Sequence, residues 1–490
     1  MIARFGGLMK FRVVIAAVAM LAVTACSTNQ TTGRQSFTAF MSEESEGKIG
    51  AENHPKILQQ FGGEYKNPKL QAYVNRIGAD LAKVTEKPGL RFRFTILNTP
   101  QVNAFALPGG YVYITRGLLA LADNEAQVAG VLGHEMGHVL ARHGAERYST
   151  QLATQIGAGL LGVLSRNRDV AKLAGVGANL FVKSYSRDQE FEADTLGHRY
   201  ISKAGFHPSG VADFLRKLRD HSKLTSDLSG LGRDPDEVNL LATHPRTIER
   251  VQEAERAIGG GARDGRVGEV AYKELIDGLL FGDDPEEGFV RGRLFQHPVL
   301  RFQFEVPPGF NLSNGRTQVQ ARGPNNSAVI FTIRPIPPGV SEARFLRYQF
   351  AKGISVRNVE NINVNGLRGA TGSARLVSRG QAIDVRPVVL PAPNRSVYQL
   401  VFISRAQDTR RLAEDFRRTT YSFKRLNDQE AQELKPFRLK IHRVQAGDTV
   451  ARLAQWMPKG PDPIRRFRVL NGLERNQTLK PGQLVKYVTF

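Results

Sequence analysis

The chain is 490 residues long, 41% hydrophobic and 23% charged, with a formal net charge of +22 at pH 7. These are globular values, which exclude a fibrous or wholly disordered chain, and the length leaves room for two to four domains with cores of their own. A single cysteine rules out an intrachain disulfide framework, and the basic excess favours an anionic neighbour, with an ordinary solvated face accounting for part of it.

At the N-terminus, Arg4, Lys10 and Arg12 lead into an apolar run from Val13 to Val23, too short to span a bilayer and patterned as the core of a secretion signal. Val23-Thr24-Ala25-Cys26 follows and resembles a bacterial lipobox, with small residues at the cut site and a thiol to carry a diacylglycerol. The expectation is a lipoprotein signal peptide over residues 1–25, lipidation at Cys26, and a flexible polar tether over 26–41. Ser27 in place of Asp after Cys26 implies, by the sorting pattern of such lipoproteins, an anchor in the bacterial outer membrane facing the periplasm. There the chain meets no nucleic acid, and the anionic neighbours expected are lipid head groups, lipopolysaccharide or cell-wall polymer.

From Glu43 to Ala82, apolar residues such as Ile57, Leu70, Val74, Ile77 and Leu81 recur mostly at three- and four-residue steps, which indicates helices. Arg91 to Leu97 alternates as a strand, and the Pro108-Gly109-Gly110 turn leads into a second strand, Tyr111 to Thr115. A strand there with one free edge would hold an extended substrate by main-chain hydrogen bonds, if it is not an ordinary sheet edge.

His134-Glu135-Met136-Gly137-His138 comes next, an H-E-x-x-H motif within the helix-forming run Val131 to Leu140. On a helix the two histidines lie one turn apart on the same face, so both reach one metal ion. Glu135 projects about 100° around the same turn, which puts its carboxylate beside the metal and not on it. Two neutral nitrogen ligands, an open coordination position and an adjacent base are the requirements of a zinc hydrolase.

Ser186 to Asp194 starts another helix. Glu190 and Asp194 share a face, so Glu190 can complete a His₂Glu set while Asp194 fixes the far nitrogen of a ligating imidazole. An acidic first turn favoured by the helix dipole, or Glu192 as the ligand, explains the same residues. Between the two helices, Tyr148 to Val182 holds glycine-dense apolar blocks, Ile156 to Leu164 and Leu173 to Ala178, each too short to cross a membrane. At that glycine density no firm helix is expected, and the segment reads as a mobile cover over the site or a membrane contact. Helices over Ser209 to Leu224 and Pro245 to Ile258 follow, and the glycine-rich stretch Gly259-Gly260-Gly261-Ala262-Arg263-Asp264-Gly265 marks the domain's end.

Residues 263–294 are expected as a linker. Beyond them, alternation at Leu300, Phe302, Phe304 and Val306 and at Val329, Phe331 and Ile333 signals strands, with helices at Ser341 to Ala351 and Asp408 to Tyr421. Residues 295–427 thus read as an α+β domain of antiparallel sheet with no ligand-spaced cluster of His, Cys, Asp or Glu.

Asn103-Ala104-Phe105-Ala106-Leu107-Pro108-Gly109-Gly110, Gly117-Leu118-Leu119, Asn124-Glu125, the H-E-x-x-H motif, Ala141-Arg142-His143 and Glu190-Phe191-Glu192-Ala193-Asp194 closely resemble, in order and spacing, the HtpX-like and CAAX-prenyl-protease-like zinc metallopeptidases. The similarity, to their soluble periplasmic BepA-type branch, runs from about Ser42 to about Gly260. It implies Glu190 as third zinc ligand and Asp194 as the residue behind a ligating imidazole. Soluble members also carry a His-Pro segment followed by Arg, which Thr243-His244-Pro245-Arg246 and Arg250 resemble. At the C-terminus, Gly447-Asp448-Thr449-Val450, Leu470-Asn471-Gly472-Leu473 and Leu479-Lys480-Pro481-Gly482-Gln483 resemble a LysM module over residues 437–490, a βααβ fold that recognises N-acetylglucosamine polymers such as peptidoglycan. Pro458 and Pro463 shorten the space for its first helix, and a structural cap or protein-binding unit is the other reading.

The expected fold is multidomain: a mostly α-helical zincin-type metalloprotease domain with a small sheet over 42–262, the α+β domain, then the small βααβ LysM-like domain. The expected chemistry is a zinc endopeptidase with one Zn²⁺ per chain on His134, His138 and Glu190, and Glu135 as general base. Arg250 or His244 would assist at the oxyanion; His244 is equally placed to plug zinc's fourth position, or merely to cap or pack. Expected partners are misfolded or misassembled envelope proteins as substrates, the membrane through lipidated Cys26, and peptidoglycan through residues 437–490. The alternative is a chaperone-like assembly factor or peptidoglycan-associated binding protein with little proteolysis.

Overall fold

A computed structural model of the chain describes residues 26–164, 184–229, 244, 247–258, 264–351, 353–378 and 380–490. The expected signal peptide, the block from Leu173 to Ala178, and Thr243, Pro245 and Arg246 lie outside the described residues. Two compact units emerge, one holding the chain up to Leu279 together with Leu439–Thr489, the other Leu280–Arg438 with Phe490. No described helix is long and apolar enough to cross a membrane.

In the first unit, β1 (Cys26–Thr28) and β2 (Gln35–Phe37) pair as an antiparallel hairpin, so the stretch expected as a tether is tied down. Asn29 is buried in its turn, donating to the Leu140 carbonyl at 2.9 Å while its Oδ1 accepts the Thr31 and Thr32 amides. Arg34 reaches Glu146 and Glu192 at 2.5 and 3.1 Å. Asn29 and Arg34 each meet a partner far along the chain, which composition alone cannot show.

Helices α1 (Glu43–Gln60) and α2 (Pro68–Ala82) start at the side-chain caps Ser42 and Asn67. A three-stranded sheet follows in the order β3 (Arg93–Leu97), β5 (Tyr111–Thr115), β4 (Ala104–Leu107). Tyr111–Thr115 is therefore the central strand and has no free edge; the outer strands are β3 and β4. The sequence hides β4 because all four of its side chains are buried, leaving no alternation to read.

Then come α3 (Arg116–Leu121), α4 (Glu125–Leu140), α5 (His143–Leu164), α6 (Arg187–Lys203), α7 (Gly210–Ser229), α8 (Thr247–Ile258) and α9 (Glu269–Ile276). Against the expectation from its glycines, α5 continues as helix across the first glycine-dense block to Leu164. Tertiary context overrides propensity there. Helix α9 lies within the stretch expected as a linker.

Residues 439–489, expected as a separate module, belong to this same unit. The C-terminal elements run β, α, α, β, with a strand at Phe437–Arg443, short helices at Val450–Ala454 and Pro463–Leu470, and a last strand at Leu484–Thr489. Three buried lysines join this segment to the rest. Lys486 is fully buried and donates to the carbonyls of Ala120, Leu121 and Ala122 at 3.1, 2.7 and 2.8 Å, with Asp123 Oδ1 at 2.9 Å. Lys217 on α7 pairs with the same carboxylate and donates to the Leu470 carbonyl at 2.9 Å; Lys273 on α9 donates to Leu484 O at 2.7 Å. The contacts of Lys486 and Lys217 with residues 120–123 meet at the α3–α4 junction, directly ahead of the H-E-x-x-H helix.

The second unit centres on a seven-stranded antiparallel sheet, in the order β9 (Asn311–Asn314), β10 (Val319–Arg322), β11 (Ala328–Pro335), β15 (Ser396–Arg405), β14 (Gln381–Ala392), β13 (Leu367–Ser378), β12 (Arg357–Val364). A smaller meander precedes it: β6 (Phe289–Arg291), β7 (Leu294–His297) and β8 (Phe302–Glu305). One face of the large sheet packs α10 (Glu342–Tyr348) over Val356, Val385 and Val389. A separate core gathers Phe295, Phe302, Phe304, Phe331, Tyr398 and Phe423, together with Leu412 and Phe416 of α11 (Thr409–Ser422).

Candidate metal centre

Helix α4 presents His134, Glu135 and His138, all buried. Asn124 caps its start by accepting the Gln127 amide. Arg142 ends it in a left-handed conformation (φ 59°), fixed by Glu46 and the Met41 carbonyl, so that His143 turns back beneath His138. Helix α6 begins with a full capping box, Ser186 with Gln189, and presents Glu190 and Asp194. The two helices meet through glycines. A Cβ on Gly197 would stand 2.9 Å from the His134 backbone nitrogen, and one on Gly137 3.0 Å from the Ala193 carbonyl oxygen. This close approach brings Glu190 to the histidines. Gly197→Val should force the helices apart and weaken zinc binding by about 10- to 100-fold, the range for disturbed ligand support. Chelator competition would show it, and an unchanged affinity would contradict the role given to the glycines.

One ligand atom from each of His134, His138, Glu190 and His244 lies within 4.8 Å of all the others, and all four residues are buried. The closest pairs are His138 Nε2 to His134 Nε2 at 3.0 Å, His134 Nε2 to His244 Nδ1 at 3.2 Å, and His244 Nδ1 to Glu190 Oε1 at 2.9 Å. The hydrogen-bond partners fix the tautomers. Asp194 Oδ1 sits 2.8 Å from His134 Nδ1 and takes its proton's hydrogen bond, which leaves a lone pair on His134 Nε2. Glu192 accepts from His143 Nε2 at 2.9 Å; His143 Nδ1 then accepts from His138 Nδ1 at 2.8 Å, which leaves a lone pair on His138 Nε2 as well. Two lone pairs facing each other at 3.0 Å beside a carboxylate repel unless a cation lies among them. With Zn–N bonds of about 2.0–2.1 Å, tetrahedral ligands stand roughly 3.4 Å apart, close to the spacings found here. The donor set fits zinc.

Burial, with His134 and His143 nearby, pushes His138 well below the ordinary imidazole range, so it stays a neutral imidazole, the form that can bind a metal. Burial also opposes ionisation of Glu190, but His244 and Arg250 outweigh it and hold the carboxyl below its usual value. Asp194 is depressed in the same way by Arg250 and His134 against the cost of burial. Burial raises Glu135, whose Oε2 has no hydrogen-bond partner among the described residues. That is the environment of a proton acceptor held off the metal.

The sequence-predicted residues assemble as one cluster. Arg250, expected to assist at the oxyanion, is committed elsewhere: its guanidinium forks onto Asp194 at 2.6 and 2.7 Å and reaches Glu190 at 2.8 Å. It steadies carboxylates and is not a free donor. Glu192, the rival ligand, belongs to His143 and Arg34. His244 joins the ligand group, with its Nε2 3.6 Å from Glu135 Oε1. Two residues escaped sequence reasoning. Tyr185 stacks flat on His138, ring centroids 3.7 Å apart, and Arg147 lies over the Tyr185 ring at 3.7 Å. Nothing in their local sequence marks them, whereas His143 stood in a recognised motif without a role.

Residues 68–258 match the model of Peptidase family M48. The beta-barrel assembly-enhancing protease of Yersinia pestis is 34% identical over 197 residues, 38% of this chain and 39% of that protein. The protein of that name from Escherichia coli (strain K12) is 32% identical over the same length and the same shares. Metalloprotease LoiP of Escherichia coli (strain K12) is 25% identical over 260 residues, 50% of this chain and 95% of that protein. The chain thus spans about two fifths of the first two relatives. With this match and this donor set, residues 68–258 form a zinc metallopeptidase domain similar to those of Peptidase family M48.

Proposed function

We propose that the protein is an endopeptidase of the bacterial cell envelope that degrades unfolded or misassembled envelope proteins, held at the outer membrane by an acyl anchor on Cys26 and facing the periplasm. The observation that carries the reading is the buried group His134, His138, Glu190 and His244 with Glu135 beside it. Zinc, when bound, supplies the Lewis acidity that lets water act as a nucleophile near neutral pH. Glu135 takes the proton of the attacking water and returns it to the leaving amine. Asp194 and Arg250 hold His134 in its ligating tautomer, and Glu192 through His143 does the same for His138. Relatives named for assembly of β-barrels support the envelope as the setting. LysM-like recognition of peptidoglycan by residues 437–490 fits the same location.

The substrate class is tested by offering the protein an outer-membrane β-barrel chain unfolded in dilute urea and the same chain folded in micelles. Cleavage of the unfolded form alone is expected; equal cleavage of both, or of neither, overturns the reading. The anchor has its own test. Cys26→Ser should move the protein from the membrane fraction to the soluble one, since one acyl chain binds weakly and two or more bind stably. Retention in the membrane with an unmodified cysteine would contradict it.

His244 is the proposed guard of the site. The cavity beside His134, Glu135, His244 and Arg250 measures about 30 Å³, room for one water and no peptide. An imidazole in this position would hold zinc together with His134, His138 and Glu190 and leave no place for the attacking water. His244→Ala is therefore expected to raise basal cleavage, self-cleavage included, with zinc still bound. Loss of activity with zinc retained would make His244 an oxyanion helper instead, and an unchanged rate would reduce it to packing.

A further inference from the structure

A second concave site lies in the unit Leu280–Arg438, independent of the peptidase centre. It is a groove of about 780 Å³ over strands β12 to β15 and the start of α11, a volume within the range of small-ligand sites. Register aligns its central row. Arg357 on β12 pairs with Ser373 on β13, and Arg386 on β14 pairs with Phe402 on β15. Ser373 stands opposite Arg386, because the flanking pairs are Thr371 with Val388 and Ala374 with Val385. The two arginines are thus two strands apart, about 10 Å between backbones, with a hydroxyl between them.

The groups in this row are arranged to donate. Thr371 is buried; its hydroxyl donates to the Pro387 carbonyl at 3.0 Å, so its lone pair accepts the Arg386 Nε–H at 3.3 Å. That contact uses the Nε–H of the guanidinium, and Arg386, which lines the groove, has no carboxylate partner among the described residues. Asn358, in a left-handed conformation at φ 50°, donates to Ser373 Oγ at 3.3 Å, which frees the serine hydrogen to donate in turn. The β12 register shifts between Arg357 and Glu360, an irregularity of the kind that re-aims side chains at sites.

The neighbouring row behaves in the opposite way. Asp384 accepts from the Nε and one terminal nitrogen of Arg375, at 2.6 and 2.9 Å, and from the Thr409 hydroxyl at 2.7 Å. It cannot serve as the counter-ion of Arg386 without breaking that set. Glu360, the other acid of the lining, is exposed at the strand irregularity. A row of donors with no carboxylate committed to it, beside a groove in which Arg357 and Ser373 are exposed, is suited to an anion that accepts several hydrogen bonds at once.

We infer that Arg357, Ser373 and Arg386 form a binding site for an oxyanion, the carboxylate or phosphate group of a small ligand or chain end. Calorimetry on the full chain tests it with two probes: inorganic phosphate, and N-acetylalanine with its amide as neutral control. At least one anion should bind, the amide should not, and Arg386→Met and Arg357→Met should each weaken binding about tenfold. Arg386→Lys should recover only part of the loss, because it restores the charge without the fork. Arg322→Met, exposed on β10 and outside the groove, should change nothing. Phosphate binding alone identifies a phosphorylated ligand, and N-acetylalanine alone a carboxylate. Failure of both anions to bind, or binding by Arg386→Met equal to the unaltered chain, overturns the assignment.

Discussion

Glu135→Gln is expected to leave zinc bound and to lower peptide turnover by about 10²–10⁴. Glutamine keeps the side chain's volume but cannot take the proton that the carboxylate accepts. The residue lies outside the ligand group, with His244 Nε2 3.6 Å from its Oε1, so metal retention should not depend on its charge. Burial already raises its proton affinity, and its Oε2 has no other partner among the described residues, so no second function obscures the result. Metal content and initial rates on the same preparation check both halves. Zinc lost with the substitution, or proteolysis retained, would remove Glu135 from the role of base.

Lys486→Met is expected to lower stability by about 3 kcal/mol and loosen the peptidase site, although it lies 348 positions beyond His138 in the sequence. The ammonium satisfies three carbonyls at the end of α3 and shares Asp123 with Lys217. Burial pulls the proton affinity of Lys486 well down, with Asp123 working against it. Removing the lysine leaves buried carbonyls without a donor and Asp123 with one cation fewer, and each such loss costs about 1–3 kcal/mol. Since these groups precede the cap of α4, zinc release should begin at a lower denaturant concentration than in the unaltered chain. An unchanged midpoint for zinc release would show that residues 439–489 merely rest on the peptidase domain.

The metal helix was legible because one ligand motif and one helical period coincide at His134 and His138. Glu190 was legible as a candidate for the same reason, but choosing it over Glu192 needed the family resemblance. The structure separates them by partner: Glu190 faces the imidazoles and Glu192 faces His143. Three features stayed hidden for distinct physical reasons. Strand β4 has no polar face, so periodicity could not find it. The hairpin at Asn29 and Arg34 is held by partners more than a hundred residues away. The lysines around Asp123 look like ordinary surface charge until the fold buries them. Helix α5 was misjudged because glycine content argues against a helix only when nothing else supports it.

The central claim is that His134, His138 and Glu190 hold a zinc ion that Glu135 uses for peptide hydrolysis. Metal analysis joined to a casein degradation assay, on the purified chain and on its His138→Ala variant, tests it most directly. One zinc per chain is predicted, with cleavage that stops on chelation and returns when zinc is restored, and His138→Ala should lose both metal and activity. A chain that binds no zinc, or that cleaves casein equally well after the metal is stripped, would contradict the account.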